Sequence, residues 1–318
     1  MSSPGRNHNP SKSQRTIQRL EACYDTDMDS TDPTLEPFGY CLNTSTIRGA
    51  GLPLDCELEV AAEAGFQAIE PWIEEIESYV NAGGSLGDLR RRVEELGLRI
   101  AGAVGFAEWI VPDEQKRALG LERLQRDMDL VAAIGGRHIA SPPIGAHKPE
   151  HVRPEQNEVA ERYRAILELG ERTGVTPVLE LWGFSKTLSR LSEVNYVAAE
   201  ASHPNACLLL DCYHLYKGGS DFDGLRLLNG AMLPVFHIND YPAAPPRAQI
   251  DDADRVYPGD GVAPLGELFR TLRDIGFRGF LSVELFNPSY WKQPAPSVAR
   301  EAIEKTRTAV RRALADPG

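Results

Sequence analysis

The sequence predicts an α/β protein, a single-domain (β/α)8 TIM barrel preceded by a flexible N-terminal extension. Three observations lead there. Eight short apolar runs alternate with eight helical segments between residues 38 and 315. The runs recur every 30 to 45 residues or so, too irregularly for a solenoid. No GxGxxG follows the first run, so a doubly wound dinucleotide-binding sheet lacks its usual signature.

Taken in order, residues 1–36 hold Ser, Pro, Asn, Asp and Thr with few apolar positions, the composition of a flexible extension; the barrel occupies 37–318. FGYCLN (38–43) reads as the first strand, and Leu54, Leu58, Ala61 and Ala62 give helical spacing that stops at Gly65. QAIEPW (67–72) is the second strand. Leu89, Val93 and Leu96 mark a helix stopped by Gly97, and LRIAGAV (98–104) is the third strand. Leu121, Leu124, Met128 and Val131 line a helix closed by Gly135 and Gly136, leading into RHIASPP (137–143). Val159, Tyr163, Ile166 and Leu167 repeat the spacing before TPVLEL (176–181). A helix over 189–202, the strand CLLLD (207–211), a short helix over 222–229 and the strand LPVFHIN (233–239) follow. A polar, Pro-rich stretch (240–262) precedes a helix at 264–275, the strand FLSVEL (280–285) and a closing helix over 295–315.

Composition narrows the function. A chain of 318 residues with 42% hydrophobic residues can bury a full core. A formal charge of −12 opposes a nucleic-acid or anionic-membrane partner, whose phosphates need clustered Lys and Arg. No run approaches the 20 or so apolar residues that span a bilayer, and no secretory signal opens the chain, so the expected address is the cytoplasm. Cysteines 23, 41, 56, 207 and 212 form no CxxC pair and read as reduced thiols.

Four of the predicted strands carry a potential metal ligand at or near their C-terminal ends: Glu180, Asp211, His237 and Glu284. Barrel enzymes build their sites at that end. Three carboxylates and one imidazole suit a divalent first-row ion, Mn²⁺ first, with Mg²⁺ or Co²⁺ also compatible. Four ionisable groups on barrel strands need either one another or a metal. Beside a bound cation, a proton next to a carbonyl can be removed, because the resulting oxyanion is stabilised. Glu70 and Trp72 close strand 2, Trp109 follows strand 3, Trp182 flanks Glu180, and Tyr290 with Trp291 follows strand 8. Indole faces packing on C–H faces and polar groups meeting hydroxyls point to a small sugar-like ligand. His138 reads as a packed histidine and His147 as a loop residue.

The segments GFQAIEPW, LELWG, LLLDCYHLY, VFHIND, PGDG (258–261) and LSVELF resemble those of the xylose isomerase-like TIM barrels, the sugar phosphate isomerase/epimerase superfamily, over residues 38–315. The resemblance implies a divalent metal on Glu180, Asp211, His237 and Glu284, a substrate-oxygen contact at His214, and proton exchange on opposite faces of the reacting carbon by Glu180 and Glu284. It also has departures. Lys186 stands where ketose 3-epimerases place a substrate-contacting glutamate, and Ala243 where they place an arginine. Arg247 and Arg255, in the long loop 241–261, are candidates to replace that arginine, and Asp260 and Asp240 to hold His237 or the loop in place.

The expected activity is a divalent-metal-dependent isomerase or epimerase of an unphosphorylated sugar or keto-polyol, with a lyase on the same metal site as the alternative. A non-catalytic sugar-binding barrel ranks below both. A repair endonuclease is opposed by the net charge. A homo-oligomer built through Tyr290 and Trp291 stays open.

Overall fold

The computed structural model describes residues 36–315, so the extension expected over 1–36 lies, apart from Glu36, outside the described residues. Eight parallel strands run in the order β3-β2-β1-β8-β7-β6-β5-β4. They are β1 Gly39–Asn43, β2 Ala68–Glu70, β3 Arg99–Ile100, β4 His138–Ser141, β5 Thr176–Glu180, β6 Leu208–Asp211, β7 Val235–Ile238 and β8 Phe280–Val283. The sheet curls until its ends meet. Beyond β3, the Ala103 amide donates to the His138 carbonyl at 3.1 Å and the Ala140 amide donates to the Ala103 carbonyl at 2.9 Å, closing the ring. The (β/α)8 barrel expected from the alternation of apolar runs is the fold.

The helices form the outer layer: α1 Leu54–Ala64, α2 Ile73–Asn81, α3 Leu86–Glu95, α4 Glu114–Ala133, α5 Gln156–Thr173, α6 Leu191–Glu200, α7 Cys212–Gly218, α8 Leu265–Asp274 and α9 Ala295–Ala315. Local chemistry sets their ends. Gly65 terminates α1 with φ 92°, a conformation that costs glycine nothing. Asp113 caps α4 by accepting from the Lys116 amide at 2.9 Å. Two connections differ from expectation. The β2–β3 crossover holds two helices, because Gly83 and Gly84 split it and Ser85 starts α3. After β6 the chain turns at once into α7, with the Asp211 side chain as its cap, while the helix expected over 222–229 is a 3-10 turn at 222–227.

Two apolar regions hold the barrel. The larger lies between strands and helices, and the smaller, of Cys41, Ala68, Ala101, Ala140, Val178, Cys207, Leu209 and Val235, fills the barrel interior. Strand side chains alternate, so the residue two places further on faces inward as well. Asn43, Glu70, Glu180, Asp211 and His237 each lie two residues beyond a member of that interior set. The apolar plug is therefore the floor on which the polar groups stand. Among the described residues Cys41, Cys56, Cys207 and Cys212 are free thiols. Among the described residues no helix is long and apolar enough to cross a membrane.

Candidate active site

Asp211, His237 and Glu284 come together at the C-terminal mouth of the barrel. One ligand atom from each lies within 4.8 Å of the others, and all three are buried. Strand register makes this possible, since Asp211 lies beside His237 and His237 beside Ser282, two residues before Glu284.

Each ligand candidate is held by a neighbour. Asp211 Oδ1 accepts from the His214 amide at 2.8 Å, and its Oδ2 accepts from Asn239 Nδ2 at 3.0 Å. Glu284 Oε1 accepts from Asn43 Nδ2 at 3.3 Å. His237 Nε2 stands 2.9 Å from Glu70 Oε2. A carboxylate only accepts, so Nε2 carries the proton and faces Glu70. Nδ1 lies 3.2 Å from Glu284 Oε2 and 3.9 Å from Asp211 Oδ2, yet makes no hydrogen bond. A buried ring nitrogen without a hydrogen bond, aimed between two carboxylates, suits a divalent cation. Burial works against charge on His237, but Glu284 and Glu70 hold its pKa well above the usual histidine value. A proton and a cation thus compete for the same lone pair.

Glu180 lies outside that tight group of three, although close enough to feel Asp211, His237 and Glu284 electrostatically. It is buried at 4% exposure and its Oε2 has no hydrogen-bond partner. Burial pushes its carboxyl up to about 8, with Glu284 and Asp211 adding to the rise and His237 and a Trp182 hydrogen bond opposing it. Glu284 moves the other way: burial alone would raise it, but His237 and Arg255 hold it well below the carboxylate range.

Arg255 is the cation of this site. It is 1% exposed, with NH1 donating to Asp211 Oδ2 at 3.0 Å and Glu284 Oε2 at 2.8 Å. Its NH2 donates to Asp252 Oδ1 at 2.5 Å and to His214 Nε2 at 3.2 Å. Tyr213 and Phe286 offer ring faces 4.5 and 5.0 Å from the guanidinium. Burial lowers His214 to about 3, with Arg255 and His237 acting in the same direction, so the ring is neutral. Because a guanidinium only donates, His214 Nε2 accepts and the proton sits on Nδ1, which has no partner.

Aromatic rings wall the mouth. Trp72 packs 5.0 Å from Phe106 and 6.1 Å from Phe286, Phe106 lies 6.2 Å from Trp182, and Trp182 lies 5.2 Å from Phe184. His147 meets the Trp182 edge at 5.6 Å. Arg48 covers Trp72 at 3.7 Å, and the Trp72 indole donates to Asn43 Oδ1 at 3.1 Å.

The other residues singled out from the sequence are placed as follows. Trp109, expected at the substrate, is 1% exposed, donates to the Pro142 carbonyl and packs on Tyr163, so its ring belongs to the core. Glu70, expected to meet substrate hydroxyls, spends Oε2 on His237, Asn43 and Ser282. Lys186 is exposed and its amine donates to the carbonyls of Pro149 and His151. Arg247 is exposed, lying against Gly219. Asp260 pairs with Lys305 instead of His237, whereas Asp240 does organise the loop. Tyr290 stacks on Tyr257, and Trp291 donates to the Ser45 carbonyl. His138 is a packed histidine: burial lowers it to about 4, and its Nδ1 meets the Ala101 carbonyl at 3.3 Å.

Asn43, Asn239, Ser282, Phe106 and Phe286 were not legible as site residues from residue type alone. Asn239 had a usable signal, since it lies two residues beyond His237 in HIND and so shares its inward face.

The sequence profile of the xylose isomerase-like TIM barrel matches residues 58–309. An inosose isomerase of Bacillus velezensis is 24% identical over 273 residues, covering 85% of this chain and 96% of its own. A 3-dehydroshikimate dehydratase of Pseudomonas aeruginosa is 26% identical over 264 residues, covering 80% of this chain and 41% of its own. The crystal structure of the IOLI protein, described with a binding zinc atom, superposes with a TM-score of 0.81 at 22% identity, covering 86% of this chain and 99% of its own.

Proposed function

The chain belongs to the xylose isomerase-like TIM barrel family and is an enzyme, and from that premise we propose a divalent-metal-dependent isomerase or epimerase of a small keto-sugar or keto-polyol. A cyclic keto-polyol of the inosose kind is the first substrate to try, given the inosose isomerase likeness. One observation carries the reading. Asp211, His237 and Glu284 converge on one point, with Glu180 and the unspent Nδ1–H of His214 in the same buried mouth.

Those three residues would hold the ion; the resemblance assigns Glu180 as a fourth ligand, a role open to it only when ionised, and in its protonated form it stands beside the ion as the acid. Mn²⁺ is the first candidate. A divalent cation there supplies Lewis-acid polarisation of the substrate carbonyl.

The protein's own residues do the rest. Glu284 is held ionised by His237 and Arg255, while burial keeps Glu180 protonated near neutrality. Two carboxyls with opposed protonation states divide the roles of base and acid. Glu284 takes the proton from the carbon beside the carbonyl, and Glu180 returns one to the opposite face. His214 Nδ1–H donates to a substrate oxygen, and Arg255 offsets the negative charge that develops. The aromatic wall packs on the substrate's C–H face and excludes water.

A second reading is a dehydratase, favoured by the likeness to a 3-dehydroshikimate dehydratase. After the same proton removal, the raised Glu180 carboxyl can give its proton to a departing β-hydroxyl, releasing water, while His214 Nδ1–H holds that oxygen by a hydrogen bond.

The test is proton exchange in D2O with inosose and open-chain keto-sugars, in the presence of Mn²⁺ and after chelation. Deuterium uptake beside the carbonyl with an isomeric product supports the isomerase, and uptake with loss of water supports the dehydratase. Glu180→Gln and Glu284→Gln should each slow exchange by about 10²- to 10⁴-fold. Undiminished exchange in either variant, or in chelated protein, would sink the assignment.

A further inference from the structure

We infer that Glu70, at the end of β2, is a positioning residue for cation binding: it fixes the His237 ring so that Nδ1 is presented to the ion. The inference rests on the metal-site reading proposed above.

Glu70 is 2% exposed, and its Oε2 is surrounded by three donors from three other strands or strand ends. His237 Nε2 is at 2.9 Å, Ser282 Oγ at 2.7 Å and Asn43 Nδ2 at 3.0 Å. An oxygen so committed has little capacity left for a ligand's hydroxyl. It instead decides how the imidazole presents itself. With the Nε2 proton held by a carboxylate, the only basic nitrogen left is Nδ1, the atom aimed between Asp211 and Glu284. A carboxylate behind an imidazole also raises its basicity toward a cation.

The surroundings keep this arrangement fixed. A Cβ at Gly102, just beyond β3, would come within 3.0 Å of Glu70 Oε1, so this glycine leaves room for the carboxylate. Asn43 Nδ2 bridges Glu70 Oε2 and Glu284 Oε1, coupling the orienting carboxylate to a ligand carboxylate. The pair thus spans β2, β7 and the ends of β1 and β8.

The experiment measures Mn²⁺ binding by calorimetry and the His237 protonation pattern by ¹⁵N NMR, on wild type, Glu70→Gln and Ser282→Ala. Ser282→Ala removes one donor to Glu70 with minimal disturbance to folding. Mn²⁺ affinity should fall about 10- to 100-fold in Glu70→Gln and by a smaller factor in Ser282→Ala. With diamagnetic Mg²⁺ bound, the wild-type spectrum should show Nε2 protonated and Nδ1 without a proton, and Glu70→Gln should change the two ring-nitrogen shifts. Wild-type affinity in a folded Glu70→Gln with an unchanged His237 spectrum overturns the role of Glu70 while leaving the metal site intact. Absence of Mn²⁺ binding by wild type overturns both readings.

Discussion

Arg255 NH1 lies 2.8 Å from Glu284 Oε2, and the same nitrogen reaches Asp211 Oδ2 at 3.0 Å. Two of the three convergent ligand candidates therefore share one buried guanidinium. Removing one member of a buried ion pair leaves the other without compensation. Arg255→Ala should cost the chelated protein about 3 to 5 kcal/mol of stability, and added Mn²⁺ should recover much of it by neutralising the same carboxylates. Thermal unfolding with and without the ion checks this. An equal loss in both conditions would show that cation and guanidinium do not act on the same charges.

The loop that carries Arg255 is built on one side chain. Asp240 accepts from the amides of Tyr241 and Ala263 at 2.8 and 2.9 Å and of Gly259 and Gly261 at 3.0 Å each. It also bridges Val256, next to Arg255, through paired backbone hydrogen bonds of 2.9 Å. Gly261 packs so closely on this carboxylate that a Cβ there would collide with it. Asp240→Ala should lower turnover about tenfold by loosening Arg255 and speed proteolysis within 241–262. Normal protease resistance alongside normal turnover would relieve Asp240 of this role.

Phe106 sits between Trp72 and Trp182 and ties the two sides of the aromatic wall together. Truncating it removes ring contacts without touching a proton-carrying group. Phe106→Ala should raise KM about 3- to 10-fold with little change in kcat. A fall in kcat at constant KM would place Phe106 in the chemistry instead.

Glu57, on α1, is 2% exposed and its Oε2 has no hydrogen-bond partner. Burial pushes its carboxyl up to about 8, with Glu75 adding to the rise and Arg48 opposing it. An unfolded glutamate titrates near 4.3 or so, so the folded protein keeps this proton to higher pH. Its stabilising contribution is complete below about pH 4 and is lost as pH rises through 8 or so. Glu57→Gln stays neutral, so its melting temperature relative to wild type should climb between pH 5 and 9. Melting curves measured across that range decide it; a constant offset would mean that Glu57 ionises alike in folded and unfolded chains.

Much of this architecture is written locally. Apolar runs such as CLLLD and VFHIND, helix stops such as Gly65 and the absence of a dinucleotide fingerprint lead to the barrel, because strand burial, helix amphipathicity and positive φ are properties of short segments. Asp211, His237 and Glu284 were also readable, since an ionisable side chain at the end of a buried strand has few places to go. Chain direction and strand order then bring them to one mouth.

Which groups spend their hydrogen bonds on each other was decided only in three dimensions. Glu70 and Trp109 look alike in the sequence, a polar or aromatic residue near a strand end, yet one backs His237 and the other fills the core. Lys186 and Arg255 were comparable loop cations. One is exposed on backbone carbonyls, while the other is buried against two carboxylates because the Asp240-built loop folds it inward. Residue type and period determined which side chains face the barrel axis. Partner choice among them depended on contacts between residues far apart in the chain, such as Asn43 with Glu284, and no local pattern encodes those.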